Sequence, residues 1–258
     1  MNISDMTNSV KAYAMLRGQS STATAATSSS TTATDSLSQA FSQADKRVQQ
    51  QLDVTSAQLS SFGKLKSAFS DVQDAAKALS APKAGATDAD ISQAASNFIK
   101  AFNATLKTTQ TSPSQATSAQ EIIGARRAQT DLRRVLGSDS SLSNSLKGVG
   151  ITQQSDGSLS LDTSKFQSAI KTNAADLRAT VTKLGQQSQA VATRELADNG
   201  NLGSALKTLT TQSNSLKARQ TEQQAALASL QQFASQQNTA FSSNNGLAAY
   251  NSIYTSFK

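Results

Sequence analysis

The chain has 258 residues, with no Cys, His or Trp and only two prolines, Pro82 and Pro113. Serine and alanine contribute 41 residues each, while aromatics make up 5% and charged residues 16%. This excludes a disulfide framework, a zinc or iron–sulfur site, a thiol nucleophile and a Ser-His-Asp triad. No enzyme chemistry, metal or cofactor is expected.

The net charge of +7 and the pI near 9.7 arise as much from few acids (17) as from many bases (24). The densest basic cluster is Arg126, Arg127, Arg133 and Arg134. It places positive charge around one short helix, a surface for phosphate or an acidic partner. No aromatic stacking platform accompanies it, so nucleic acid is not an expected partner. No segment is apolar for the length of a membrane span, and Met1–Arg17 lacks the apolar core of a secretory signal. Membrane insertion is not expected. The chain reads as cytosolic or as exported without a cleaved signal.

Residues 1–34 read as a flexible N-terminal segment. Ile3, Met6, Val10 and Tyr13 carry a weak helical pattern, and residues 19–34 are nearly all Ser, Thr and Ala. Such a run buries too little to offset its ordering entropy. Thr34 or Asp35 then offers an N-cap. Residues 35–80 carry Leu37, Phe41, Val48, Leu52, Leu59, Phe62, Leu65, Phe69, Val72, Ala76 and Leu79 at helical spacing. They predict one long helix with a narrow apolar seam, which requires a partner helix.

Residues 81–200 read as a compact α+β module. Asp90 is the expected cap of a helix carrying Ile91, Phe98, Ile99, Phe102 and Leu106. A helix over 121–136 follows, with Gly137 at its C-terminal end. Asp156-Gly157 between two alternating runs predicts a β-hairpin over 150–162. Asp162 starts the next helix with Phe166 and Ile170 inward, and Leu177, Val181 and Leu184 mark one more. Paired carboxylates are the only catalytic chemistry left to weigh; Asp139, Asp156, Asp162 and Asp176 lie in the module, and each fits a turn, cap or surface role better.

Residues 201–242 form the returning helix. Leu202, Leu206, Leu209, Leu216, Leu227, Leu230 and Phe241 keep its seam, diluted by Ser213, Gln220, Gln223 and Gln237. Polar seam positions lower stability and restrict register. Asn244-Asn245-Gly246 is read as a break, leaving 243–258 as an amphipathic tail with Leu247, Tyr250, Ile253, Tyr254 and Phe257. The fold class is therefore mainly α: a long antiparallel coiled-coil hairpin, a small α+β module with one β-hairpin, and flexible termini. The residues expected to meet a partner or another copy are Ile3, Met6, Val10, Leu37, Phe41, Phe241, Leu247, Tyr250, Ile253, Tyr254 and Phe257.

Three blocks resemble the flagellar hook-associated, filament-capping family (FliD). The first is Asp35-Ser36-Leu37-Ser38-Gln39-Ala40-Phe41, continuing to Ala57-Gln58-Leu59-Ser60-Ser61-Phe62-Gly63-Lys64-Leu65-Lys66-Ser67-Ala68-Phe69. The second is Phe98-Ile99-Lys100-Ala101-Phe102-Asn103. The third runs from Leu146 through Gly150-Ile151-Thr152 and Asp156-Gly157-Ser158-Leu159-Ser160-Leu161-Asp162, followed by helix residues Lys165-Phe166. Members of that family usually carry β-rich domains between the first two blocks, and here only a short loop separates Leu79 from Asp90. The resemblance implies a leg without the plate. It implies export to the flagellum, partners among flagellin, hook-associated subunits and an export apparatus or chaperone, and homo-oligomers. The alternative is a cytosolic or envelope binding module of the same fold, using its basic face for an acidic partner.

Overall fold

The computed structural model describes residues 26–81, 86–111, 119–137 and 139–256, without the side chains of 26–35, 37, 111, 119–122, 234 and 237–256. The chain order is α1 (Ala26–Ser80), α2 (Asp88–Thr111), α3 (Ala119–Gly137), α4 (Ser140–Gly148), β1 (Ile151–Gln153), β2 (Leu159–Leu161), α5 (Thr163–Thr172), α6 (Ala174–Leu196) and α7 (Asn201–Ser256). The mainly helical class with one small hairpin is as expected. Residues divide into two compact units, one of 54–212 and one that pairs the segment up to Asp53 with the segment from Ser213.

The larger unit is built on one apolar cluster. The second half of α1 contributes Phe62, Leu65, Phe69, Val72, Ala76 and Leu79. Against it lie Phe98 and Phe102 of α2, Leu132 of α3, Leu142 and Leu146 of α4, Phe166 of α5, Leu177, Val181 and Leu184 of α6, and Leu202 of α7. Each large apolar side chain removed from water stabilises the fold by about 1.5–3 kcal/mol. The rings of Phe98 and Phe102, one helical turn apart, stand 5.9 Å between centroids at a 46° tilt. The smaller unit is thinner. Among the described residues, Phe41, Val48 and Leu52 of α1 and Leu216 and Leu230 of α7 are its buried apolar side chains. There Gln220 Nε2 donates to Gln49 Oε1 at 2.8 Å, and Gln49 Nε2 donates to Asp53 Oδ1 at 2.8 Å. A fixed amide pair of this kind resists sliding of one helix along the other.

Four boundaries differ from the sequence reading. Helix α1 starts at Ala26, inside the expected linker. Extending an existing helix costs far less than nucleating one, so weak formers join a long helix at its end. Helix α7 continues through Asn244-Asn245-Gly246 to Ser256 for the same reason. Interior Gly costs a helix only about 1 kcal/mol relative to Ala, too little to force a break. The compact unit reaches back to Val54 and on to Gln212, because the module has no core without the apolar faces of α1 and α7. Helix α2 is capped by Thr87 rather than Asp90. Thr87 N donates to Asp90 Oδ2 at 2.8 Å and Asp90 N donates to Thr87 Oγ1 at 3.2 Å, a reciprocal capping box with Asp90 in its third helical position.

Candidate functional site

The hairpin is where the sequence blocks converge. Strand β1 pairs antiparallel with β2, in the register Ile151 with Leu161, Thr152 with Ser160 and Gln153 with Leu159. Ile151 and Leu159 face the core and Thr152 and Ser160 share a 2.7 Å hydrogen bond on the other face. The loop closes through Gly157 N to Gln154 O at 2.9 Å and Gln154 N to Ser158 O at 2.8 Å. Gly157, at φ +86°, supplies the left-handed residue that a three-residue hairpin loop requires. Asp156 accepts from Ser158 Oγ at 2.6 Å and Ser158 N at 2.9 Å, and the hydroxyl contact above all holds its carboxyl below the ordinary value.

Two further residues dock this hairpin on the helices. Asn103 of α2 acts on β2 as a neighbouring strand would. Its Nδ2 donates to Leu159 O and its Oδ1 accepts from Leu159 N, both at 2.8 Å. Arg133 of α3 crosses the loop and donates to Asp156 O at 2.7 Å. At the hairpin's base Asp162 N donates to Gly150 O at 2.8 Å. Gly150 has φ +88°, and a Cβ there would stand 2.8 Å from Asp162 O. Asp162 then caps α5 by accepting from Lys165 N at 3.0 Å.

The four candidate carboxylates are thus occupied structurally. Asp139 caps α4 through Leu142 N at 3.1 Å and meets Lys183 Nζ at 2.6 Å, a contact that holds its carboxyl low. Asp176 accepts from Asn173 Nδ2 next to the start of α6. Among the described residues no three His, Cys, Asp or Glu side chains are grouped to hold a metal. An open groove of about 580 Å³ between α4, α5 and the start of α6 is lined by Ser145, Lys165, Ser168, Thr172, Asp176 and Thr180 among others.

The expected partner-facing residues are placed as follows. Phe41 is 7% exposed within its own chain. Its helical register places it on the same seam as Val48. Leu37 lies in α1, and Phe241, Leu247, Tyr250, Ile253 and Tyr254 lie in α7, with side chains outside the described residues. Ile3, Met6, Val10 and Phe257 lie outside the described residues altogether. Of the basic cluster, Arg126, Arg127 and Arg134 are exposed, whereas Arg133 is engaged with the hairpin loop. The docking roles of Asn103 and Arg133 were not assigned from sequence. Only the Thr87-x-x-Asp90 spacing offered a readable signal among the features missed.

Among the described residues the chain is a helical scaffold with a docked two-stranded hairpin. The sequence model described as the flagellar hook-associated protein 2 C-terminus (FliD_C) matches residues 86–246, more than half of the chain. The chain belongs to that family, whose members are structural flagellar proteins of the extracellular filament cap, associated with filament and flagellin in oligomers. The matched range contains the second and third sequence blocks, and the first lies before it. No curated protein and no solved structure matches the chain. Seven residues, 81–87, separate the end of α1 from the start of α2. Among the described residues no helix is long and apolar enough to cross a membrane.

Proposed function

We propose that this chain is the leg-like, plate-free form of a cap-type protein, acting at the flagellar filament end by helix–helix contact. The observation that carries this reading is the family match over 86–246. It is supported by a module whose large apolar residues are nearly all spent on its own core. The paired helices of the smaller unit act as a coiled-coil rod. The terminal segments, with Ile3, Met6 and Val10 at one end and Leu247, Tyr250, Ile253, Tyr254 and Phe257 at the other, fold against flagellin, hook-associated subunits or further copies of the chain. The subunit travels through the flagellar export apparatus, with or without a chaperone. The low aromatic content and the absence of disulfides make unfolding for that passage less costly.

The test is the mass of the full chain by light scattering across concentration, with and without flagellin. The same measurement is made on chains lacking residues 1–18 or 243–258. The reading expects a defined multimer or a flagellin complex that both deletions weaken while the unfolding midpoint of the module stays unchanged. A full chain that stays monomeric and ignores flagellin and the hook-associated subunits sinks it.

A further inference from the structure

A carboxyl lies buried at the corner where α6 gives way to α7. Glu195 is in the last turn of α6, and its side chain is 1% exposed. Asn201, the first residue of α7, brings Nδ2 to both carboxyl oxygens, at 3.0 Å from Oε1 and 2.9 Å from Oε2. From α3, Asp131 comes within hydrogen-bonding reach of the same carboxyl. The cation present is Arg194. Its guanidinium bonds Asp131 Oδ2 at 3.0 Å and stands 3.9 Å from Glu195 Oε1. The charged groups facing Glu195 are therefore Asp131 from α3 and Arg194 from its own helix, and α7 supplies the neutral amide of Asn201.

The charge count decides the arrangement. Two carboxylates share one guanidinium, and Asp131 holds the shorter contact with it. If both carboxyls are ionised, the more deeply buried one carries a charge without its own counter-ion, which a low-dielectric site disfavours strongly. Two acceptors also then face each other with no proton between them. A proton on Glu195 resolves both problems, since its hydroxyl donates to Asp131 while the other oxygen accepts from Asn201.

We propose that Glu195 is a proton-operated latch on the α6–α7 corner, closed when its carboxyl is protonated and bonded to Asp131 and Asn201, and loosened when the proton leaves. Burial, then the nearness of Asp131, pushes Glu195 above the ordinary value of 4.5, against the opposing pull of Asn201 and Arg194. A folded-state value raised above the unfolded one contributes stability that is complete below 4.5 and lost as pH rises through the raised value. The latch therefore opens toward neutral pH. The segment it controls holds Gly200 N against Ala197 O at 2.8 Å and Ser204 N against Gly200 O at 2.9 Å, so these two amides report its state.

The test uses the full chain. The Glu195 carboxyl is titrated by carbon NMR, and hydrogen-exchange protection of Gly200 and Ser204 is followed across the same pH range. Protection, corrected for intrinsic exchange, is expected to fall by about tenfold for each pH unit separating the Glu195 midpoint from 4.5. Glu195→Gln reproduces the donor and acceptor of the protonated acid, and is expected to keep both amides protected at every pH. Asp131→Asn is expected to move the Glu195 midpoint down toward 4.5. A Glu195 that titrates at or below 4.5 in the unmodified chain overturns the proposal without any variant. So does protection that is level across the midpoint, or a pH response that survives in Glu195→Gln.

Discussion

Replacing Asn103 by Ala tests whether a single side chain holds the hairpin to the helices. Asn103 makes two 2.8 Å hydrogen bonds to the backbone of Leu159, one as donor and one as acceptor. Each such bond contributes about 1 kcal/mol net, and stranding a partly buried backbone group costs more than the lost bond alone. Leu159 itself is 3% exposed, so water replaces the amide poorly. The expected loss is about 2–3 kcal/mol. For a unit of this size that corresponds to about 4–12 °C in melting temperature. Urea unfolding monitored by circular dichroism measures it, with calorimetry as a second probe. Asn103→Asp separates the two bonds, because a carboxylate accepts from Leu159 N but cannot donate to Leu159 O. It is expected to be destabilised near neutral pH and to recover part of the loss on acidification, when the protonated acid regains a donor. An Asn103→Ala protein within about 0.5 kcal/mol of the parent refutes the reasoning, since that is the range of an ordinary surface substitution.

Two further outcomes are expected. Gly150→Ala meets both a left-handed backbone and a Cβ only 2.8 Å from Asp162 O, and is expected to cost more than about 1 kcal/mol in urea unfolding and to loosen the start of α5. Lys183→Met removes the first cause of the lowered Asp139 value, so carbon NMR is expected to find that carboxyl nearer 3.8. Because the folded value is depressed, its stabilisation is present above 3.8 and is lost as pH falls through the folded value, so the variant is expected to be less stable than the parent above that range and the two to converge as acid protonates Asp139.

The parts of the fold that were legible in the sequence are those with local causes. Seam periodicity placed Phe62, Leu65, Phe69 and Val72 inward, and all four are buried. Asp156-Gly157 located the hairpin because a left-handed glycine is a local requirement, and Asp162 located α5 because an N-cap is one too. The ends of α1 and α7 were not legible, because propagation from a packed helix outweighs the propensity of the Ser/Thr run and of Asn244-Asn245-Gly246. Nor were the docking contacts. Asn103 and Leu159 are 56 positions apart, and Arg133 reaches a carbonyl 23 positions away, so no window of sequence contains either pair. Glu195 was illegible for a similar reason: its burial depends on α3 and α7 meeting at one corner.

The residues that carry the family resemblance are spent almost wholly within the chain. Phe98 and Phe102 fill the core, Asn103 holds β2, Gly150 admits the close approach of Asp162, Gly157 turns the loop, and Asp162 caps α5. They define how the module folds and contain little about what it touches. This separates two ways of losing assembly. Substitutions at Asn103 or Gly150 act through stability, so assembly falls only in step with the melting temperature. Deletion of 1–18 or 243–258 acts on contact, so assembly falls at an unchanged melting temperature. Plotted against each other for this set, the two quantities are expected to fall on one line for the first group and to leave it for the second. If the deletions fall on the same line, the terminal segments stabilise the module rather than meet a partner, and the contact surface belongs on the exposed faces of the helices instead.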